Sequence, residues 1–199
     1  LADLSLDGGQ VLLFVNGIPV ATAELKSHYT QSVQDAVYQY KTDREPFFKP
    51  KNVAEPLLAF PGGALVHFAV SNAAAEMTTR LAGLDTTFLP FNQGNAGGAG
   101  NPPKAGIATD YLWKEVWQRD SFLQILGRYL VPVKNAKKQL VGWIFPRYHQ
   151  LTVTRKLVAA ESERVLGKAI EHEYNLFDLL RRPDVSYPAL MSLDGGRMA

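Results

Sequence analysis

The sequence predicts an α/β fold with a short helical tail. Three observations predict it. VLLFVNGIPVATAELK (Val11–Lys26) is two apolar runs around Asn16-Gly17, a dipeptide that suits a tight hairpin. Within Gln31–Lys41, the apolar residues Val33, Ala36, Val37 and Tyr40 recur at helical spacing. Leu65–Val70 then returns to an apolar run of strand length, so strand, helix and strand follow one another. Hydrophobic residues are 46% of 199, enough to build a core and to exclude wholesale disorder.

Val11–Val15 and Ile18–Leu25 read as paired strands. Both are largely apolar on both faces, as central strands covered on both sides would be. Thr30 is placed to cap the helix that follows. Asp43–Pro56 is charged and proline-bearing, a loop. Leu57–Phe60, Leu65–Val70 and Met77–Leu81 are expected strands, the first two separated by Pro61-Gly62-Gly63. Phe91–Gly106 is a Gly/Asn/Pro loop. Asp110 is expected to cap a helix over Tyr111–Gln118, and Asp120-Ser121 another to about Leu130. Lys134–Lys138 (KNAKK) reads as a basic linker and Trp143–Phe145 as a short apolar piece. Pro146 fits the first turn of a helix reaching about Glu163. Asn175–Leu180 and Tyr187–Leu193 are expected to be two short helices split by Pro183. These elements divide the chain into a first domain at 1–133, a linker with the start of a further helix at 134–163, and a helical tail at 164–199.

Bulk properties narrow the function only by exclusion. A net charge of +2 does not by itself argue for nucleic acid. The absence of cysteine rules out disulfides and thiolate metal sites and fits a reducing compartment. No apolar run is long enough to span a bilayer. The opening LADLSLDGG lacks the basic and apolar regions of a signal peptide, and it enters a strand without a lead-in, as a piece of a longer protein would.

Chemistry concentrates at Glu24 and Lys26. Residues i and i+2 of a strand share a face, so this carboxylate and this ammonium point the same way, with Leu25 opposite. A carboxylate is a hard ligand for Mg²⁺, and a neighbouring lysine can hold the attacking water and screen charge on a phosphate. The pair therefore points to metal-assisted phosphodiester cleavage, against the plainer reading of a solvated ion pair at a strand end. Such a site needs a second carboxylate, and the hairpin register decides which residue supplies it. A two-residue turn pairs Val15 with Ile18 and brings Asp7 opposite Lys26. A three-residue turn brings Gln10 opposite Glu24 and turns Asp7 away, unless a bulge intervenes.

Other features carry less. The glycines of GNAGGAG neither follow a strand nor open a helix, which excludes a dinucleotide-binding turn. His28, His67, His149 and His172 make no metal-ligand spacing. Trp113 and Trp117 lie at i and i+4, as helix-packing residues do.

The ordered set of segments VLLFVNGIPVATAELK, QDAVYQYKTDREP, LVHFAVS, EMTTRLAG, FLPFNQGNAGGAGNPP, YLWKEVWQRDSFLQIL and IFPRYHQLTVTRKLVAA resembles the nuclease region of the R (motor) subunit of type I restriction enzymes, over about residues 10–161. The resemblance implies a restriction-endonuclease-like PD-(D/E)xK core with a mixed sheet flanked by helices. It also implies Mg²⁺-dependent cutting of double-stranded DNA, coupled in the full protein to ATP-driven translocation. The implied partners are the specificity and modification (methyltransferase) subunits, and the implied location is the cytoplasm. By the same resemblance Glu24 is the metal-binding acid, Lys26 the catalytic lysine, and Gln39 the glutamine that follows the motif on a helix. The tyrosine often found four positions later is Asp43 here. The family's metal-binding Asp falls at Gln10. An amide brings no charge to Mg²⁺, so unless Asp7 takes over, this copy should cut weakly or not at all.

FPRYHQ resembles the nucleotide-recognition element of that family. There Gln150 would contact adenine, supported by Arg147 and Tyr148. The phosphate-binding G-x-G-K-S loop that should follow is absent, so ATP belongs only to the full-length protein. The tail Val165–Ala199, above all LFDLLRRPDVSYPALMSLDGG, resembles instead the C-terminal region of the large flavoprotein subunit of the tRNA wobble-uridine modification enzyme. Arg181-Arg182 read either as a contact to an RNA backbone or as dipole-compatible surface charge at a helix end.

Overall fold

A computed structural model describes residues 9–27, 32–48 and 53–171, with side chains to residue 165. Asp7, His28, the Thr30 cap, His172, Arg181-Arg182 and the two tail helices lie outside the described residues. The chain divides into two units, 1–150 and 151–199.

The first unit is built on a five-stranded mixed sheet in the order β1-β2-β5-β6-β7. Strands β1 (Gly9–Val15) and β2 (Ile18–Lys26) form the expected antiparallel hairpin. Asn16 and Gly17 both take positive φ, which the turn requires. Strand β5 (Val66–Ser71) runs parallel to β2 and antiparallel to β6 (Ala75–Thr78), which pairs with the short β7 (Leu89–Pro90). Between β2 and β5 lie α1 (Val33–Thr42) and a separate two-stranded ribbon, β3 (Phe47–Phe48) with β4 (Val53–Ala54). The α/β class and the mixed sheet flanked by helices are therefore observed, and they are consistent with a restriction-endonuclease-like fold.

Several local expectations are corrected. Strand β1 is an edge strand, and Phe14 stands 53% exposed at its end. Leu57–Phe60 is a turn. Its chain doubles back so closely that a Cβ on Gly63 would sit 2.7 Å from the Leu57 carbonyl oxygen, a spacing only glycine tolerates. The strand expected at Met77–Leu81 begins earlier, at Ala75. The first expected helix after Asp110 is a π-helical segment at Leu112–Val116. The second is split into α2 (Arg119–Gln124) and a π-helical turn at Ile125–Tyr129. The basic linker is the tip of a hairpin, β8 (Val131–Lys134) with β9 (Leu140–Ile144). Helix α3 (Tyr148–Glu171) starts two residues beyond Pro146. Among the described residues no helix is long and apolar enough to cross a membrane.

The two faces of the sheet differ. One presents Phe68, whose ring packs edge-on against Phe91, Trp117 and Phe145 at centroid distances of 5.4–5.8 Å. The other carries Ala69, which packs with Ala36, Val37 and Tyr40 of α1 and with Leu58 and Leu81. That second face, beneath α1, holds the polar residues of β2.

Candidate phosphodiester-binding face

Three polar residues of β2, namely Thr22, Glu24 and Lys26, alternate with Ala21, Ala23 and Leu25 and so share one face. Their neighbours on β5 are His67, Ala69 and Ser71. The register to β1 combines both readings of the hairpin. The turn has two residues, with Val15 opposite Ile18 and Phe14 opposite Pro19. Leu13 then faces Ala21, leaving Val20 as an extra residue in β2. Pro19 has no N–H to give a ladder, so a bulge there costs little. The Val20 carbonyl accepts a bond from Leu65 N at 3.0 Å instead. Beyond the bulge Gln10 lies opposite Glu24, and side chains directly opposite one another share a face.

Glu24 is 3% exposed, a depth at which a carboxylate needs a partner. Arg44 Nε donates to Glu24 Oε1 at 2.7 Å, and this bond holds the guanidinium more firmly charged than usual. Lys26 Nζ donates to Gln39 Oε1 at 2.5 Å. Helix α1 therefore contributes Gln39 from its last turns, while Arg44 follows just after its end. Its start is fixed by Asp35, whose carboxylate accepts from Ser32 N at 2.5 Å and Ser32 Oγ at 2.9 Å. Those bonds, helped by the charge of Lys26, hold the Asp35 carboxyl below the usual range.

Deeper on the same face, Thr22 Oγ1 bonds Tyr40 OH at 2.7 Å and His67 Nδ1 at 2.8 Å. All three residues are buried. Burial pushes the His67 pKa down to about 4 and raises that of Tyr40, so at neutral pH both are uncharged. This network joins β2, α1 and β5 one residue pair away from Glu24. Glu76 continues the row Gln10–Glu24–Ala69–Glu76, yet it stands apart from Glu24. Ala69 between them is sealed under Ala36 and Val37, and Glu76 Oε1 instead accepts from Gln34 Nε2 at 2.8 Å.

The structure thus brings together Glu24, Lys26 and Gln39, with Gln10 opposite Glu24. The partners Arg44, Thr22, Tyr40 and His67 were not singled out for the site from sequence. Thr22 had a legible signal, the polar period of two that it shares with Glu24 and Lys26. Arg44 had none, since it sits in a charged run twenty residues downstream of its partner.

The other predicted residues lie elsewhere in the first unit. Gln150 Oε1 accepts from Arg147 N at 2.9 Å across the first turn of α3. The Tyr148 ring packs edge-on against Tyr111 at 4.9 Å and Phe91 at 6.1 Å. Its hydroxyl donates to Glu115 Oε2 at 3.0 Å and accepts from Gln93 Nε2 at 3.1 Å.

Among the described residues no group of three or more His, Asp or Glu is assembled to hold a metal. At Glu24 the donor set is one carboxylate already bonded to a guanidinium, beside a neutral amide on β1. Mg²⁺ takes one or two carboxylates and fills its octahedron with water and phosphate. The described residues alone do not fit a resident ion.

Fold and site together define an α/β domain with a strand-borne Glu-x-Lys pair under a helix. Residues 11–86 match the family model of the type I restriction enzyme R protein N terminus (HSDR_N). The match begins within β1, runs through β6 and contains Glu24, Lys26, Gln39 and Arg44, while Gln10 lies one residue before it. The matched segment lies inside the stretch, about residues 10–161, over which the sequence resembles that family. No solved structure matches the chain at a significant level.

Proposed function

We propose that this chain carries the nuclease region of a type I restriction R subunit, with a PD-(D/E)xK core centred on Glu24 and Lys26. In the whole enzyme it acts on double-stranded DNA in the cytoplasm, together with specificity and modification subunits. ATP-driven translocation comes from other parts of the full-length protein. One observation carries the reading: Glu24 and Lys26 share a face of β2, and α1 holds Lys26 through Gln39. Lys26 would face a DNA phosphate, and Gln39 would fix its ammonium. Mg²⁺, when bound with substrate, would supply Lewis acidity and a lowered water pKa. Glu24 would be its one carboxylate ligand in this reading, and the described residues supply no second.

Gln10 favours a second reading, a region that engages DNA but cuts it weakly. The amide stands opposite Glu24, where a carboxylate would complete the ligand set, and Glu24 is already neutralised by Arg44. Nicking of supercoiled DNA in Mg²⁺ separates the two. If the region is a nuclease, Gln10→Asp nicks faster than the parent and Glu24→Ala abolishes what nicking there is. Equal nicking by the parent and Glu24→Ala rejects Glu24 as a catalytic residue. A Gln10→Asp variant as slow as the parent rejects the missing carboxylate as the cause of weak cutting.

A further inference from the structure

The β8–β9 hairpin is not used by the site at Glu24. Its tip, Lys134-Asn135-Ala136-Lys137-Lys138-Gln139, presents three exposed lysines, Lys134, Lys137 and Lys138. Among the described residues no carboxylate pairs with any of them.

The tip is tightly built. Asn135 Oδ1 accepts from Lys137 N and Gln139 N, both at 3.0 Å. Asn135 Nδ2 donates to Gln139 Oε1 at 3.0 Å, and Lys138 N donates to Asn135 O at 2.9 Å. Lys138 itself takes φ +60, a conformation that glycine or asparagine adopts at lower cost. A lysine kept where glycine would fold more easily is an outlier that points to function.

The base of the hairpin is tied to the body. Thr79 Oγ1 donates to Trp143 O at 2.8 Å and Arg80 Nη1 to Val141 O at 3.2 Å. Arg80 also lies 5.2 Å from the centroid of the Phe60 ring. These anchors follow Thr78, which pairs with His67 and so belongs to the Thr22 end of β2. From Thr22 to Lys26 is four strand residues, about 13 Å. The hairpin is thus anchored away from the Lys26 end of the site.

We propose that the β8–β9 hairpin is a phosphate-backbone contact for duplex DNA, reading no sequence and holding the duplex at a second point away from the Glu24 site. The inference rests on the proposed action of this region on DNA. A rigid turn carrying three unpaired ammonium groups fits a polyanion with evenly spaced charges. An acidic protein surface is the competing occupant.

The test is fluorescence anisotropy of the full chain with a labelled duplex, in EDTA so that no cutting occurs, across about 50–200 mM salt. Each phosphate contact contributes about 0.9 to the salt slope, so Lys134→Gln, Lys137→Gln and Lys138→Gln together should lower its magnitude by up to about 2.7. Over that fourfold salt range the parent should lose about 40-fold more affinity than the triple variant. The loss at low salt should be equal for unrelated sequences. Lys138→Gly should weaken binding while raising the urea midpoint, which shows that the fold survives. A parent that binds duplex with a slope the triple variant leaves unchanged overturns this inference and leaves the proposed function standing. A parent that binds no duplex overturns both. Lysine-dependent binding to polyglutamate as tight as to duplex overturns the assignment to DNA in favour of an acidic protein.

Discussion

The two faces of the sheet are built from the same strands and obey opposite rules. On one, Phe68 is enclosed by Phe91, Trp117 and Phe145, and stability comes from apolar area and edge-to-face ring contacts. On the other, Thr22, Glu24 and His67 are as deeply buried, and each needs a named partner. The aromatic face tolerates changes of shape at graded cost. The polar face fails in steps, because a lost partner strands a polar atom away from water. The proposed site thus lies on the face where geometry is fixed by hydrogen bonds, and the apolar ring contacts lie on the other.

Substitutions can sharpen or break this contrast. The largest loss is expected from Phe68→Ala, about 3–5 kcal/mol in urea unfolding, from lost transfer energy and a residual cavity. The polar site should be intact in whatever fraction remains folded, so a change at Lys26 in that variant would break the separation of the faces.

Next comes Arg44→Ala, which leaves the Glu24 carboxylate buried and unpaired at a cost of about 3 kcal/mol. Glu24→Ala should cost less, because Arg44 keeps about a third of its side-chain surface in water. The double variant should be more stable than the sum of the two predicts. Equal single costs that simply add would mean the ion pair is not coupled.

His67 gives a pH-dependent effect. Its pKa falls from an ordinary 6.5 to about 4 on folding, so between those values the unfolded chain binds more protons. The stability it contributes is complete above pH 6.5 and is lost as pH falls towards 4. Between pH 7 and pH 4.5 the loss attributable to this residue is about 2 kcal/mol. His67→Gln should remove that part of the acid slope in urea midpoints; an unchanged slope would mean that His67 is not buried neutral.

The smallest change is Tyr40→Phe, about 1 kcal/mol, since it deletes one hydrogen bond and leaves Thr22 bonded to His67.

Much of this was legible in the sequence because it is local. The hairpin followed from Asn16-Gly17, α1 from the spacing of Ala36, Val37 and Tyr40, and the shared face of Glu24 and Lys26 from the strand period. What escaped was set by distant parts of the chain. The register resolved through a bulge at Val20, which lets a two-residue turn coexist with Gln10 opposite Glu24; the sequence offered these as alternatives. Arg44 reaches Glu24 only because α1 folds back over β2. KNAKK read as a linker because its strands are short and half-exposed, and Asn135, whose side chain closes the turn, looks like any loop asparagine. The helix expected from Asp120 was right in place but altered in winding at Ile125.

The central claim is that Glu24 and residue 10 converge on one point beside Lys26, where a cation could meet a phosphate. Calorimetric titration of Mn²⁺ into the parent, Gln10→Asp, and Gln10→Asp with Glu24→Ala tests it without relying on cleavage. The account predicts weak binding by the parent, at least about tenfold tighter binding by Gln10→Asp, equivalent to 1.4 kcal/mol, and loss of that gain when Glu24 is removed. Affinity that does not rise with Gln10→Asp, or that rises and persists without Glu24, would contradict it.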